Sequence, residues 1–185
     1  MTIVFLDRDG VINENRSDDY VKSWEDFVFL PNAKEALRRL AGKDEVKIFV
    51  VSNQAGIGKD LVTVAQVDEV NRRMKDEIET AGGRIDGIFY CPHSPEEGCS
   101  CRKPEAELLL KVLEETPGNP HRRFMVGDAI SDMAAAKKVS AVAIMVRTGR
   151  GKEQLNSVSA GSLKVDYIAE DVSEAVEIIL QNIGQ

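Results

Sequence analysis

The chain has 185 residues, of which 43% are hydrophobic and 30% charged, with a net charge of -7 at neutral pH. Those proportions suit a folded core, exclude wholesale disorder, and at this length point to one domain over residues 1–185. The acidic balance argues against nucleic acid or an anionic membrane as partner, since both attract basic faces, but leaves room for a small anionic substrate in a local basic pocket.

In chain order, residues 2–6 (TIVFL) read as a buried strand. Residues 32–41 read as a helix with Asn32 at its N-cap, and residues 46–52 (VKIFVVS) as a second strand. Residues 63–81 form a long helical pattern, in which Thr63 and Gln66 have the spacing of a capping box. A short strand is expected over 85–90 and a helix over 105–115 with the apolar series Leu108, Leu109, Val112, Leu113. Strand 123–126, helix 131–138, strand 141–146, strand 165–168 and a last helix opened by Asp171 complete the chain. This alternation predicts a three-layer α/β fold, a parallel sheet with helices on both faces. Ligands of such folds gather at the carboxyl ends of the strands. That rule singles out Asp7, Ser52 and Asp128, each just past an apolar run, and Lys103, which is expected immediately before a helix.

The motif 7-DRDG-10 sets two carboxylates two apart at a strand end. A phosphate ester repels a bare carboxylate, so this chemistry needs positive charge. A divalent cation between Asp7, Asp128 and the phosphate supplies it, and all-oxygen ligation favours Mg²⁺. Lys103 offers a point charge. Ser52 and free backbone N–H groups over 53–56 offer hydrogen bonds. A lone DxD or GD pair is common on surface turns; the weight lies in four elements in order, each at an expected strand end or helix start. Asp132 has a plainer reading as an early-helix acid.

All three cysteines and one of two histidines fall in 91-CPHSPEEGCSCRKP-104. Three thiolates and an imidazole from Cys91, His93, Cys99 and Cys101 suit tetrahedral Zn²⁺ with no open position, hence a structural site. The plainer alternative is free thiols in a loop. His121 lies apart and is assigned no metal. The start MTIVFLDRDG has neither a basic leader nor a long apolar core, and no run of 18 apolar residues occurs. A cytoplasmic monomer, without membrane or nucleic-acid partner, is the expectation.

DxDG at 7–10, Ser52, Lys103 and Gly127-Asp128…Asp132 resemble the four motifs of the haloacid dehalogenase (HAD) superfamily of phosphatases. The resemblance implies Asp7 as nucleophile, Asp9 as general acid/base, and Ser52 and Lys103 as stabilisers of the phosphoryl group. It implies Mg²⁺ on Asp7, the backbone carbonyl of Asp9 and Asp128, with Asp132 behind them. DRDGVIN, SNQAGIGK, the cysteine loop and VGDAISD together resemble the D,D-heptose 1,7-bisphosphate phosphatases and the related histidinol-phosphate phosphatases. That likeness implies a HAD-like fold with no large cap domain and a zinc-binding loop in its place. It further implies a phosphorylated sugar as substrate, in activated-heptose and lipopolysaccharide biosynthesis. Asn53, Gln54, Ala55 and Arg102 would line the pocket, and Tyr20 would contact the sugar. Histidinol phosphate is the alternative substrate, and a non-catalytic phosphosugar-binding module the alternative of another class. Three departures stand out: Ala129 where a Lys or Arg often follows Gly-Asp, EAELL after RKP, and the acidic loop 14–19. Arg147 or Arg150 is a candidate substitute for the missing cation.

Overall fold

The run TIVFL forms β1 (Thr2–Leu6), every residue of it buried. It is a central strand of a six-stranded sheet in a computed structural model that describes residues 1–16, 19–157 and 165–184. The other strands are β2 (Val46–Asn53), β3 (Gly87–Cys91), β4 (Arg122–Gly127), β5 (Val142–Val146) and β6 (Tyr167–Ala169). They pair in parallel in the order β3-β2-β1-β4-β5-β6.

Period-two alternation sends β1 into two cores. Val4 and Leu6 pack with Leu37 and Leu40 of α1 (Ala33–Ala41), Met74 and Ile78 of α3 (Val64–Thr80), and Val176 and Ile179 of α7 (Val172–Ile183). Ile3 and Phe5 pack on the opposite face with Leu109 and Val112 of α4 (Glu107–Glu115) and Met133 and Ala136 of α5 (Ile130–Lys138). Each large side chain so buried contributes about 1.5–3 kcal/mol. The expected three-layer architecture is therefore found, and no cap domain occurs among the described residues. No described helix is long and apolar enough to cross a membrane.

Two short helices were not expected from the sequence: α2 (Ala55–Gly58) and α6 (Gly151–Ser157). Asn32 does occupy the N-cap of α1, but in a left-handed conformation (φ 62°) and with no side-chain cap bond. Helix α4 starts at Glu107, two residues later than expected. The chain after Lys103 first makes a turn in which Glu105 N–H donates to Arg102 O at 2.8 Å. Lys103 thus lies four residues before the helix, not immediately before it.

The sheet order reverses between β1 and β4, the switch point at which such folds leave a crevice beyond the strand ends. Leu6 is in register with Val126, and Asp7 N–H continues the pairing to Val126 O at 2.9 Å. Asp7 and Asp128 accordingly emerge side by side.

Candidate active site

Asp7, Asp128 and Asp132 are all buried, and one carboxylate oxygen of each lies within 4.8 Å of the others. Lys103 Nζ sits 2.9 Å from Asp7 Oδ1 and 2.7 Å from Asp132 Oδ1, and donates to Val51 O at 2.6 Å. Three oxygens thus surround one ammonium. The second oxygen of Asp132 accepts from Ala129 N–H at 3.0 Å, so this residue caps α5 and holds Lys103 at once. Three carboxylates against one ammonium leave uncompensated negative charge in a buried place. Burial, together with Asp132, Asp128 and Asp9, outweighs Lys103 and raises the Asp7 carboxyl to about 7. Burial and Asp132 raise Asp128 to about 6. Asp7 Oδ1 meets the Lys103 ammonium and, among the described residues, Asp128 Oδ1 faces only the Arg150 guanidinium at 3.6 Å. Clustered buried carboxylate oxygens with so few donors form an oxygen cage for a hard divalent cation. Gly10 (φ 88°) gives the cage its room: a Cβ there would lie 2.1 Å from Asp128 Oδ2.

Asp9 is held quite differently. Its oxygens accept from Arg8 Nη2 (3.2 and 3.1 Å), Asn13 Nδ2 (2.9 Å) and Gln54 Nε2 (2.9 Å). Burial opposes ionisation, but the Arg8 charge and these hydrogen bonds win and lower its pKa. The two aspartates of one motif are therefore pushed apart, Asp7 up and Asp9 down. Arg8, Asn13 and Asn71, which complete this network, were not singled out from the sequence. The signal available was a buried Asn on the apolar face of α3.

A cavity of about 530 Å³ opens over these groups, lined by Asp7, Asp9, Ser52, Arg102, Lys103 and Arg150 among others. Tyr20, Asn53, Gln54 and Ala55 line it as well. Two of these have their polar atoms engaged inside the protein. Asn53 exchanges two 3.0 Å hydrogen bonds with the backbone of Lys103, and Gln54 donates to both Asp9 and Ser52 Oγ. They brace Lys103, Asp9 and Ser52 rather than offer free amides to a ligand. The backbone N–H of Gln54 is also not free, since it donates to Cys91 O at 2.8 Å. Of the two arginines considered for the departure at Ala129, Arg150 lines the cavity and its backbone N–H donates to Asp128 Oδ2 at 2.8 Å. Arg147 instead pairs with Glu170 at 3.0 Å. Residues 17 and 18 of the acidic loop lie outside the described residues.

The four residues of the cysteine loop do converge. Cys91 Sγ lies 3.1 Å from Cys101 Sγ and 3.5 Å from Cys99 Sγ, and His93 Nδ1 lies 3.2 Å from Cys101 Sγ and 3.6 Å from Cys91 Sγ. Ligand atoms about 2.3 Å from a tetrahedral centre stand roughly 3.7 Å apart, so the cluster fits one Zn²⁺ with slight expansion. All three cysteines are free. Burial and its two thiol neighbours raise Cys101, and burial raises Cys91, while Cys99, despite burial, is brought down to about 7 by hydrogen bonds with Cys101 and Cys91, so three sulfurs crowd where a cation would hold thiolates. The loop is tied to α2: Gly58 N–H donates to Pro92 O at 2.8 Å, and a Cβ on Gly58 would lie 2.4 Å from Ser94 N and Glu97 Oε1. Arg102 Nη1 donates back to His93 O at 3.4 Å, which places its guanidinium between the cluster and the cavity.

Known proteins share this sequence pattern and fold. A family model described as HAD-hydrolase-like matches residues 100–175. A D-glycero-beta-D-manno-heptose-1,7-bisphosphate 7-phosphatase of Pseudomonas aeruginosa is 33% identical over 177 residues, covering 95% of this chain and 98% of that protein. A D-glycero-alpha-D-manno-heptose-1,7-bisphosphate 7-phosphatase of Mycobacterium bovis is 40% identical over 141 residues, 76% of this chain and 74% of that one. The crystal structure of a D,D-heptose 1,7-bisphosphate phosphatase from B. bronchiseptica, complexed with magnesium and phosphate, superposes with a TM-score of 0.90. It is 30% identical and covers 98% of this chain and 99% of that chain.

Proposed function

The chain belongs to the family of the D-glycero-D-manno-heptose-1,7-bisphosphate 7-phosphatases, and from that premise we propose that it hydrolyses the C7 phosphate ester of this heptose bisphosphate. The observation that carries the reading is the pairing of Asp7 and Asp128 at the β1/β4 switch point, with Lys103 against Asp7 and Asp9 two residues on. An Asp7 oxygen attacks phosphorus, and the bond from phosphorus to the C7 oxygen breaks. Asp9 gives its proton to that departing oxygen, leaving an aspartyl-phosphate. Water then attacks the same phosphorus, Asp9 takes the proton of the water, and inorganic phosphate leaves with Asp7 restored. Asp9 rests as a carboxylate, so it takes up a proton before it can give one.

Asp7, the backbone carbonyl of Asp9 and Asp128 would hold Mg²⁺, with Asp132 behind them. The ion would supply the positive charge that lets an anionic nucleophile approach an anionic ester. Lys103 and Ser52 stabilise the phosphoryl oxygens, and Arg102 and Arg150 are the cavity cations suited to the second phosphate. Tyr20, its ring packed beside Gly56, offers a face to the sugar. Cys91, His93, Cys99 and Cys101 would hold Zn²⁺ as a clasp that carries Arg102 and Lys103 into place.

The decisive assay is phosphate release from both heptose bisphosphate anomers, fructose bisphosphate and histidinol phosphate. The expected outcome is kcat/KM for one heptose anomer at least ~100-fold above histidinol phosphate, the scale reached when a site's polar groups are all matched. A preference for histidinol phosphate would move the enzyme to amino-acid metabolism.

A separate expectation concerns the clasp. Stripping metal with a chelator and restoring Mg²⁺ alone should lower Tm by about 10 °C, equivalent to about 3 kcal/mol in a chain of this length. Turnover of a small aryl phosphate should fall far less than turnover of the bisphosphate, because Lys103 keeps its bonds to Asn53, Val51 and Asp132 while Arg102 is held by His93 O of the loop. Equal loss on both substrates would count against a purely positioning role.

A further inference from the structure

Helix α3 buries Val67, Val70, Met74 and Ile78, and among them one polar residue, Asn71. Asparagine is a poor residue for a helix interior, and a buried amide left without a partner costs about 1–3 kcal/mol. A leucine would complete the stripe. What the asparagine finds instead is Arg8, whose Nη1 donates to Asn71 Oδ1 at 2.9 Å. Arg8 is 1% exposed. Its Nε has no partner, so the guanidinium is fixed by its two Nη groups alone. One of these is on Asn71. The other is shared between both oxygens of Asp9 and Gln54 Oε1, the last at 3.0 Å. Because the guanidinium is planar and rigid, fixing one Nη fixes the direction of the other. Asn71 itself is not among the residues lining the cavity.

We propose that Asn71 is a positioning residue which, through Arg8, fixes the plane and direction of the Asp9 carboxylate for proton transfer to the departing oxygen. This rests on the reading of Asp9 as the general acid/base. It assigns to α3, a helix outside the catalytic motifs, a share in the phosphoryl-transfer step. Asn13 and Gln54 complete the cradle from the other sides at 2.9 Å each, so removing Asn71 loosens Asp9 without releasing it.

The test compares kcat/KM for an alkyl phosphate, the heptose bisphosphate, with that for p-nitrophenyl phosphate, whose leaving group departs without a proton. For Asn71→Leu the expected result is a loss of about tenfold on the alkyl ester and less than about twofold on the aryl ester. KM should stay near wild type, and Tm should fall by a few degrees because the buried Arg8 Nη1 loses its acceptor. Asn71→Asp keeps an acceptor for Arg8 and should bring the alkyl-to-aryl ratio back toward wild type. Should the leucine variant not fold, Asn71→Ser is read in the same way. Asp9→Asn is the control, with an alkyl-specific loss of about 10²-fold or more. If Asp9→Asn depresses both esters alike, the acid/base reading itself fails. If Asp9→Asn splits them but the Asn71 variants lower both equally, or neither, the positioning role is overturned and Asn71 is a packing residue only.

Discussion

Asp7→Asn is expected to reduce phosphate release by ~10⁴-fold or more, with the fold intact, because the amide cannot form the acyl phosphate that the water later opens. The same variant should stabilise the metal-free protein at alkaline pH. The sign follows from the raised Asp7 carboxyl. Its pKa is about 7 folded against 3.8 in the reference state, mainly through burial. A carboxyl raised on folding favours the folded state while it is protonated. Its full benefit is present below about pH 4 and is lost as pH climbs through 7. Above pH 7 the wild-type chain carries the unfavourable buried charge and the asparagine variant does not. Thermal melts in chelator should therefore show the variant ahead at pH 8, with the gap closing toward pH 4. Adding Mg²⁺ should raise the wild-type Tm more than that of the variant, since the ion relieves the charge that asparagine never had. Unaltered turnover in Asp7→Asn would rule out the covalent route.

Lys103→Met should be the most damaging single change to stability. The ammonium is 1% exposed and stands between Asp7, Asp132 and Val51 O. Removing one member of a buried charge group costs about 3–5 kcal/mol, because the others remain buried and unpaired. That is a Tm drop of roughly 10–15 °C for a chain of this size. The loss should be larger at pH 8 than at pH 5, since the Asp7 carboxyl, which burial raises to about 7, can escape part of the penalty by protonating. Turnover in saturating Mg²⁺ should fall by about 10²–10³-fold, the scale of losing one fixed donor to the transferring group. Circular dichroism melts at the two pH values and a phosphate-release assay check both parts. Lys103→Arg should rescue little, because a planar fork does not fit a site shaped for three oxygens around one nitrogen.

The strands were legible because β-branched and aliphatic runs such as TIVFL cannot be satisfied at a surface, and β1 was found at its expected bounds. The capping box of α3 was legible for a similarly local reason, and Thr63 Oγ1 does accept from Gln66 N–H at 3.2 Å. Helix α2 was not legible. Its sequence is AGIG, with two glycines in four residues. It is helical because Gly58 docks against the cysteine loop, a contact that no local pattern encodes. Asn32 looked like an N-cap and sits at that position, but asparagine also tolerates the left-handed region, and the structure uses that property instead.

The motif residues Asp7, Ser52, Lys103 and Asp128 were legible as a group because each follows an apolar run or stands near a helix. The supports behind them were not. Arg8 lay in plain sight between two aspartates, but its role depends on Asn71, 63 residues away, and on Gln54. Long-range polar pairing of this kind leaves no periodicity. What it leaves is one residue of the wrong polarity in an apolar stripe.

The two hydrogen bonds from Gln54 and Gly58 to Cys91 O and Pro92 O have a consequence for the hierarchy of local opening in this protein. Both donors belong to the segment that follows Ser52, Gln54 as the N-cap of α2 and Gly58 at its end, and both acceptors belong to the cysteine segment. Neither amide can be freed for exchange with solvent unless the two segments part. The floor of the cavity and the cysteine cluster therefore belong to one cooperative unit, and the free energy that parts them at these two bonds opens both. Whatever clamps the three sulfurs then also slows the breathing of the segment that borders the cavity beside Ser52.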